Sequence, residues 1–87
     1  MSHSISRTQC IAAYHLEADF FDALCESELI RVVQNEDDWY LDEDDLDLLE
    51  RFAYLHYDLE INVAGLEVID RLLRQIEDLQ QKNRRIS

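Results

Sequence analysis

The chain has 87 residues, which allows one domain with a modest hydrophobic core and no deep active-site cleft. Twenty acidic residues against eight basic ones give a net charge of -12, which repels phosphate backbones and anionic membrane surfaces at long range. Apolar residues make up 47% of the sequence, while a single Gly and no Pro argue against an all-β chain with several tight turns. These properties favour a small, mainly helical protein with a basic partner.

The charge is unevenly distributed along the sequence. Residues 17–60 contain sixteen acidic residues, and Arg31 and Arg51 are the basic residues among them. After Asp70 the balance reverses, and basic residues gather near the end of the last predicted helix, where they suit its dipole. An acidic surface is therefore expected in the middle of the chain.

The first elements form a predicted helix-turn-helix. Ser6 and Gln9 have the spacing of a capping box, which predicts a helix over Arg7–Tyr14 after a flexible tail of residues 1–5. A second helix is predicted over residues 17–28, because its apolar residues repeat at helical spacing. Those residues are Phe20, Phe21, Leu24 and Cys25.

A small β-hairpin wing and a third helix are predicted next. Residues 30–34 are rich in β-branched side chains, residues 35–38 are polar, and residues 39–41 again favour a strand. Asp42 then has the character of an N-cap, and acidic residues fill the first turn, as the helix dipole favours. The third helix is expected to end near Leu59.

The last predicted helix is long and carries a heptad-like apolar seam. Asn62 caps it, and it runs from Val63 to Ile86. Ile, Leu and one polar Asn recur along it at spacings that alternate between three and four residues. This pattern favours pairing of two helices in register. The candidate dimerisation residues are Leu66, Ile69, Leu72, Leu73, Ile76, Leu79, Asn83 and Ile86. We expect a homodimer whose residues 6–62 form the body and whose residues 63–87 form the dimerisation helix, in one structural domain.

Metal sites are not indicated by the acidic run or by the two cysteines. An EF-hand that starts at Asp42 would need Gly where the chain has Asp47 and Glu where it has Ala53. Cys10 and Cys25 lack the CxxC or His spacing of a zinc site and are interpreted as reduced core thiols. We therefore expect no metal and no cofactor.

Catalysis and membrane insertion are not indicated either. His3, His15 and His56 are scattered, with no Ser or Cys at a catalytic spacing, and His56 is interpreted as a hydrogen-bonded histidine on the apolar face of the third helix. Gly65 alone cannot form a phosphate loop. No signal peptide or membrane helix is predicted, so a non-enzymatic cytoplasmic protein is expected.

A helix-turn-helix with a wing raises the hypothesis of DNA binding. The second helix would enter the groove, yet it carries only acidic charges. Those charges are Glu17, Asp19, Asp22, Glu26 and Glu28. Because contacts with phosphates supply most non-specific affinity, direct nucleic-acid binding is not expected.

The order of helix, helix, hairpin, helix and long helix resembles the N-terminal winged-helix domain of the MerR family. Leu29-Ile30 stands where that family has Gly-Leu-Ile after the recognition helix. The departures concern the DNA-binding positions. Where MerR regulators place Arg and Tyr, the chain has Asp19, Phe20, Phe21 and Asp22, and where their wing has Gly-Tyr-Arg it has Asp38, Trp39 and Tyr40.

A closer resemblance is to the CbpM chaperone-modulator family, which is MerR-like in fold but binds a protein. Residues 55–62, followed by Gly65, Ile69, Leu72-Leu73, Ile76 and Leu79-Gln80, are similar to that family's central motif. The likeness extends from Ile5 over nearly the whole chain. It implies that the partner is the J-domain of a CbpA/DnaJ-like co-chaperone, whose stimulation of the DnaK chaperone would be inhibited.

An acidic surface could compete for the basic helix with which J-domains dock on DnaK. The candidate partner-binding residues are Asp19, Asp22, Glu26, Asp37, Asp38, Asp44 and Asp45, with Trp39 or Tyr40 as an apolar anchor. Two alternatives stay open, a MerR-like DNA-binding transcriptional regulator and a purely structural dimer module.

Overall fold

The computed structural model describes residues 3–86, with side chains described as far as residue 83. Three strands and four α-helices follow one another in the order β1, α1, α2, β2, β3, α3, α4. Their bounds are Ser4–Ser6, Arg7–Tyr14, Ala18–Glu26, Val32–Asn35, Asp38–Asp42, Leu46–Ala53 and Val63–Ile86. The predicted fold class, mainly α with a winged helix-turn-helix, a small hairpin and a long C-terminal helix, is confirmed.

A three-stranded antiparallel sheet replaces the predicted two-stranded wing. The strand order is β1-β3-β2, and Leu41 in the central strand pairs with Ile5 on one side and Val32 on the other. The predicted flexible tail of residues 1–5 is therefore wrong at Ser4 and Ile5, because Ile5 packs against the core and its strand completes the sheet. Met1 and Ser2 lie outside the described residues.

The hairpin is displaced from the predicted strand boundaries. Ile30 is 3% exposed and belongs to the core before β2 begins, whereas β3 extends to Asp38 through its pairing with Asn35. The two-residue turn between them places Glu36 at a φ of 57°. Two-residue hairpin turns that match the twist of the strands need a positive φ at their first central residue. Glu36 adopts it here, so the hairpin turns tightly without a Gly at this position.

The helix-turn-helix is formed by α1 and α2. The predicted capping box is confirmed, since Ser6 Oγ accepts from Gln9 N at 3.1 Å and Gln9 Oε1 accepts from Ser6 N at 3.1 Å. The second helix is shorter than predicted and ends at Glu26, because Glu28 takes a φ of 60° and turns the chain. Leu29 N then donates to Leu24 O at 2.9 Å, which closes this helix end.

The third predicted helix is divided into three parts. A 3₁₀ turn over Glu43–Asp45 precedes α3, and the chain then widens into a π-helical turn over Tyr54–Asp58. Asp42 caps the 3₁₀ turn, with Oδ1 accepting from Asp44 N at 3.0 Å, so its predicted role as a cap is confirmed. The prediction of one continuous helix to Leu59 is wrong, because the α-helical hydrogen bonding stops at Ala53.

His56 lies in the π-helical turn and has the structural role predicted for it. Its Nδ1 is 2.8 Å from Ile61 O. Its ring stacks on Phe20 with centroids 4.2 Å apart, and Tyr57 meets Phe20 edge-on at 5.3 Å. Tyr57 Oη in turn accepts from Glu17 N at 2.8 Å, so this aromatic cluster joins the start of α2 to the turn before α4.

The hydrophobic core lies where the sheet and the four helices meet. Its fully buried members are Cys10, Phe21, Leu24, Leu41, Leu49, Phe52 and Leu66. The helix α4 begins at the predicted cap, where Asn62 Oδ1 accepts from Gly65 N at 2.8 Å. No helix within residues 3–86 is long and apolar enough to cross a membrane.

Candidate partner-binding groove

A groove of about 490 Å³ lies between α2, the first turn of α1 and the hairpin. We call it the acidic groove. Five of the nine predicted partner-binding residues line it, namely Asp22, Glu26, Asp37, Asp38 and Trp39. Phe21, Cys25 and Val32 add an apolar lining, and Arg7 is the basic residue among those that line it. The groove thus combines four carboxylates, one guanidinium and the single tryptophan of the chain.

The pleat of β3 determines which aromatic residue faces the acidic groove. Trp39 and Leu41 are two positions apart and share one face, and Leu41 is fully buried. Trp39 is 42% exposed, so its ring is held by the protein while much of its surface is free for contact. Tyr40 faces the opposite side, paired with Val33, and does not line the groove.

Arg7 and Asp22 form a forked ion pair within the acidic groove. Arg7 Nε donates to Asp22 Oδ1 at 2.9 Å, and Arg7 Nη2 donates to Asp22 Oδ2 at 3.0 Å. The hydrogen bonds that Arg7 donates to Asp22 raise the pKa of the Arg7 guanidinium, burial opposes the rise, and the charge of Asp38 adds to it. The sequence does not indicate this pair, because opposite charges fifteen residues apart need not lie close together in the fold.

The remaining carboxylates of the acidic groove lie on α2 and on the hairpin turn. Glu26 and Asp37 are exposed, and Asp38 is half-buried at the start of β3. Asp38 Oδ1 accepts from the backbone N of Trp39 at 2.7 Å, which holds this carboxylate against the backbone at the start of β3. A cation that enters the groove would therefore meet negative charge on both walls.

Four predicted partner-binding residues lie outside the acidic groove. Asp19 is exposed on α2, three residues before Asp22, and continues the acidic row along that helix. Asp44 is exposed on the 3₁₀ turn, and Tyr40 is on the outer face of the sheet. Asp45 lines a second cavity of about 770 Å³ between β2, α3 and α4, which Arg31 and Arg74 also line. The predicted residues therefore do not form one site, because five line the acidic groove, one lines the second cavity and three line neither.

Cys25 lines the acidic groove and the second cavity, and it is a free thiol. Burial raises its pKa to about 11, with a further rise from the charge of Asp22. Cys10 is also free and is fully buried, which agrees with its interpretation as a core thiol, whereas Cys25 is partly buried and packs against the core. Among residues 3–86 there is no group of three or more His, Cys, Asp or Glu side chains that could hold a metal ion.

The exposed face of α4 carries the candidate dimerisation seam. Leu72, Ile76 and Leu79 are 51%, 49% and 60% exposed, although they are large and apolar. Val68 lies one turn before Leu72 on the same side of the helix and is 48% exposed. The predicted heptad-like seam did not include Val68. We call Val68, Leu72, Ile76 and Leu79 the α4 apolar row.

The other predicted dimerisation residues differ in their surroundings. Leu66 is fully buried in the core of its own domain, so its assignment to a dimer interface is wrong. Ile69 and Leu73 are partly buried, and Asn83 is exposed. The side chain of Ile86 lies outside the part of the chain whose side chains are described.

The helix pair α1–α2 is preceded by β1 and followed by the β2–β3 hairpin, and β1 pairs with that hairpin, which defines a winged helix-turn-helix protein. A family model described as "MerR HTH family regulatory protein" matches residues 5–87. The chain therefore belongs to the MerR HTH family of regulatory proteins. A search of curated proteins and a search of solved structures gave no match.

Proposed function

We propose that this MerR-family protein is a CbpM-like chaperone modulator that binds and inhibits the J-domain of a CbpA/DnaJ-like co-chaperone. It acts by binding alone, as a homodimer, without catalysis, metal or cofactor. The observation that carries the proposal is the acidic groove between α2 and the hairpin, which four carboxylates line together with the exposed Trp39. The resemblance of residues 55–80 to the CbpM motif supports the identity of the partner.

Charge and apolar contact have separate roles in the proposed complex. The exposed carboxylates Asp19, Glu26 and Asp37 attract a basic helix and accelerate its association. Such rim charges add little lasting affinity, so the large aromatic surface of Trp39 supplies an anchor that slows dissociation. A basic J-domain helix that is held in this way is unavailable to DnaK.

The α4 apolar row supports the proposed homodimer. Four large apolar side chains, each about half exposed, follow one face of a helix that extends beyond the core. Pairing with the same row of a second copy would remove this surface from water, at roughly 25 cal/mol for each Å² buried. Dimerisation would also present two acidic grooves to the partner.

Matched charge reversals test the role of the acidic groove. The double variant Glu26→Lys with Asp37→Lys changes two exposed carboxylates that line the groove. The control is Asp58→Lys with Glu67→Lys, which changes the total charge equally at exposed positions outside it. Binding to the J-domain, measured by calorimetry, should weaken about tenfold or more in the groove variant and much less in the control.

Equal weakening in both variants would mean that only the overall charge matters, and the groove would not be the binding site. Unchanged binding in both variants would move the interface to another face. If the wild-type protein does not bind the J-domain at all, the proposed function is wrong.

The family match favours one other function, a DNA-binding transcriptional regulator. In that function α2 would enter the major groove, where its exposed Asp19 and Glu26 would face phosphates. A gel-shift assay at low salt separates the two functions. A DNA binder should bind duplex tightly with a steep loss of affinity as salt rises, whereas the proposed modulator should leave duplex unshifted.

A further inference from the structure

The acidic groove already holds a guanidinium group, that of Arg7. Both of its hydrogen bonds to Asp22 have the parallel geometry that is typical of arginine recognition by a carboxylate. The pair is partly open to solvent, with 30% of the Arg7 side chain and 48% of the Asp22 side chain exposed. An arginine from outside could therefore reach the same carboxylate.

We propose that the acidic groove recognises an arginine side chain of the partner and that Arg7 occupies this position in the free protein. Arg7 is then an internal competitor, and a partner arginine replaces it on Asp22. This inference rests on the proposed function for the identity of the partner, and it adds the chemical group that is recognised and a residue that sets the affinity.

The balance of interactions allows this exchange. An ion pair between partly exposed side chains contributes little to stability, so release of Arg7 from Asp22 costs little. The incoming guanidinium gains the same forked contact and lies near Asp38, whose charge already acts on Arg7. Trp39 lines the same groove, and guanidinium planes stack on indole rings more readily than ammonium groups do. These features favour arginine over lysine.

The single tryptophan of the chain provides a direct readout. Because Trp39 lines the acidic groove, its fluorescence and the NMR signal of its indole N–H should respond to occupancy. The probe is N-acetyl-arginine amide, with N-acetyl-lysine amide as the comparison. The proteins are wild type, Arg7→Gln and Arg51→Gln, since Arg51 is an exposed arginine on α3 outside the groove.

Arg7→Gln should bind the arginine probe about threefold more tightly than wild type, the gain that removal of a weak internal competitor allows. Arg51→Gln changes the net charge by the same amount. Any effect of this variant on the affinity for the arginine probe should vanish at 0.5 M salt, where the screening length is about 4 Å. The Arg7→Gln effect should persist there. The lysine probe should bind more weakly than the arginine probe to every protein.

If circular dichroism shows that Arg7→Gln is folded and it binds the arginine probe no more tightly than wild type, Arg7 does not compete with the probe. That result would overturn the inference. Equal gains in both variants at high salt, or equal binding of lysine and arginine, would overturn it as well. The same variants are then titrated with the J-domain. If Arg7→Gln binds the arginine probe more tightly than wild type but neither wild type nor the variants bind the J-domain, the proposed function is wrong. The inference that the groove recognises arginine and that Arg7 competes for it then still holds.

Discussion

Trp39 and Tyr40 are neighbours in sequence, yet only one of them lines the acidic groove. Adjacent residues of a strand face opposite sides, and the fully buried Leu41 places Trp39 on the inner side. This assignment could be predicted from the sequence, because Leu41 is an apolar residue two positions after Trp39. The contact between Arg7 and Asp22 could not, since it depends on how α1 and α2 pack.

The two aromatic residues make a matched pair for testing the anchor. Trp39→Ala should weaken binding to the J-domain by about 2 kcal/mol, because truncation of a tryptophan at the centre of an interface removes a large desolvated contact. Tyr40→Ala should change affinity much less, because Tyr40 is on the outer face of the sheet. Calorimetry measures both affinities, and equal losses in the two variants would contradict this assignment.

Cys25 should be an unreactive thiol in the free protein. Because its pKa is raised to about 11, only about one molecule in a thousand carries the thiolate at pH 8. Alkylation by iodoacetamide should therefore be slow at pH 8 and should accelerate as the pH rises towards 11. Asp22→Asn should increase the rate, since the charge of Asp22 contributes to the raised pKa. Peptide mass spectrometry measures the rate, and fast modification at pH 8 would contradict the prediction.

At the scale of elements, periodicity predicted α1, α2 and α4 well and the third helix poorly. Leu49, Phe52 and His56 follow helical spacing through the end of α3, so no break is visible in the pattern. The widened turn over Tyr54–Asp58 instead depends on tertiary contacts, the stacking of His56 on Phe20 and its contact with Ile61. The strand β1 was missed because three residues are too few for a periodic signal.

The cap of α4 should contribute measurably to stability. Asn62→Ala removes the acceptor for Gly65 N, and loss of such a cap costs about 1 kcal/mol in the free energy of unfolding. Asn62→Asp keeps an oxygen at the same position and should retain most of the stability. Urea denaturation measures both variants, and an unchanged midpoint for Asn62→Ala would show that this cap has no energetic role.

The α4 apolar row should control the oligomeric state. Ile76→Asp places a charge in a seam that a second copy would cover, and an uncompensated buried charge disfavours pairing strongly. Since Ile76 is about half exposed in one chain, the variant should remain folded as a monomer. Analytical ultracentrifugation at micromolar concentration measures the mass. A wild-type monomer would rule out the proposed dimer, and a dimeric Ile76→Asp would move the interface elsewhere.

At the scale of the whole molecule, a MerR-family fold carries an acidic groove between α2 and the hairpin. Composition and charge distribution were sufficient to predict that this face is negative, because the acidic residues concentrate in α2, the hairpin and the start of α3. They could not show that only some of the carboxylates share one groove, or that Arg7 pairs with one of them. Those features depend on long-range packing, which a linear pattern does not encode.

The most direct test of the account is NMR mapping of the J-domain on the isotope-labelled protein. We expect the largest shift changes at residues that line the acidic groove, above all Glu26, Asp37 and the indole of Trp39, with little change along α4. Changes that cluster on α4 or around Arg31 and Arg74, or none at saturating J-domain, would contradict the claim that this groove recognises a basic protein.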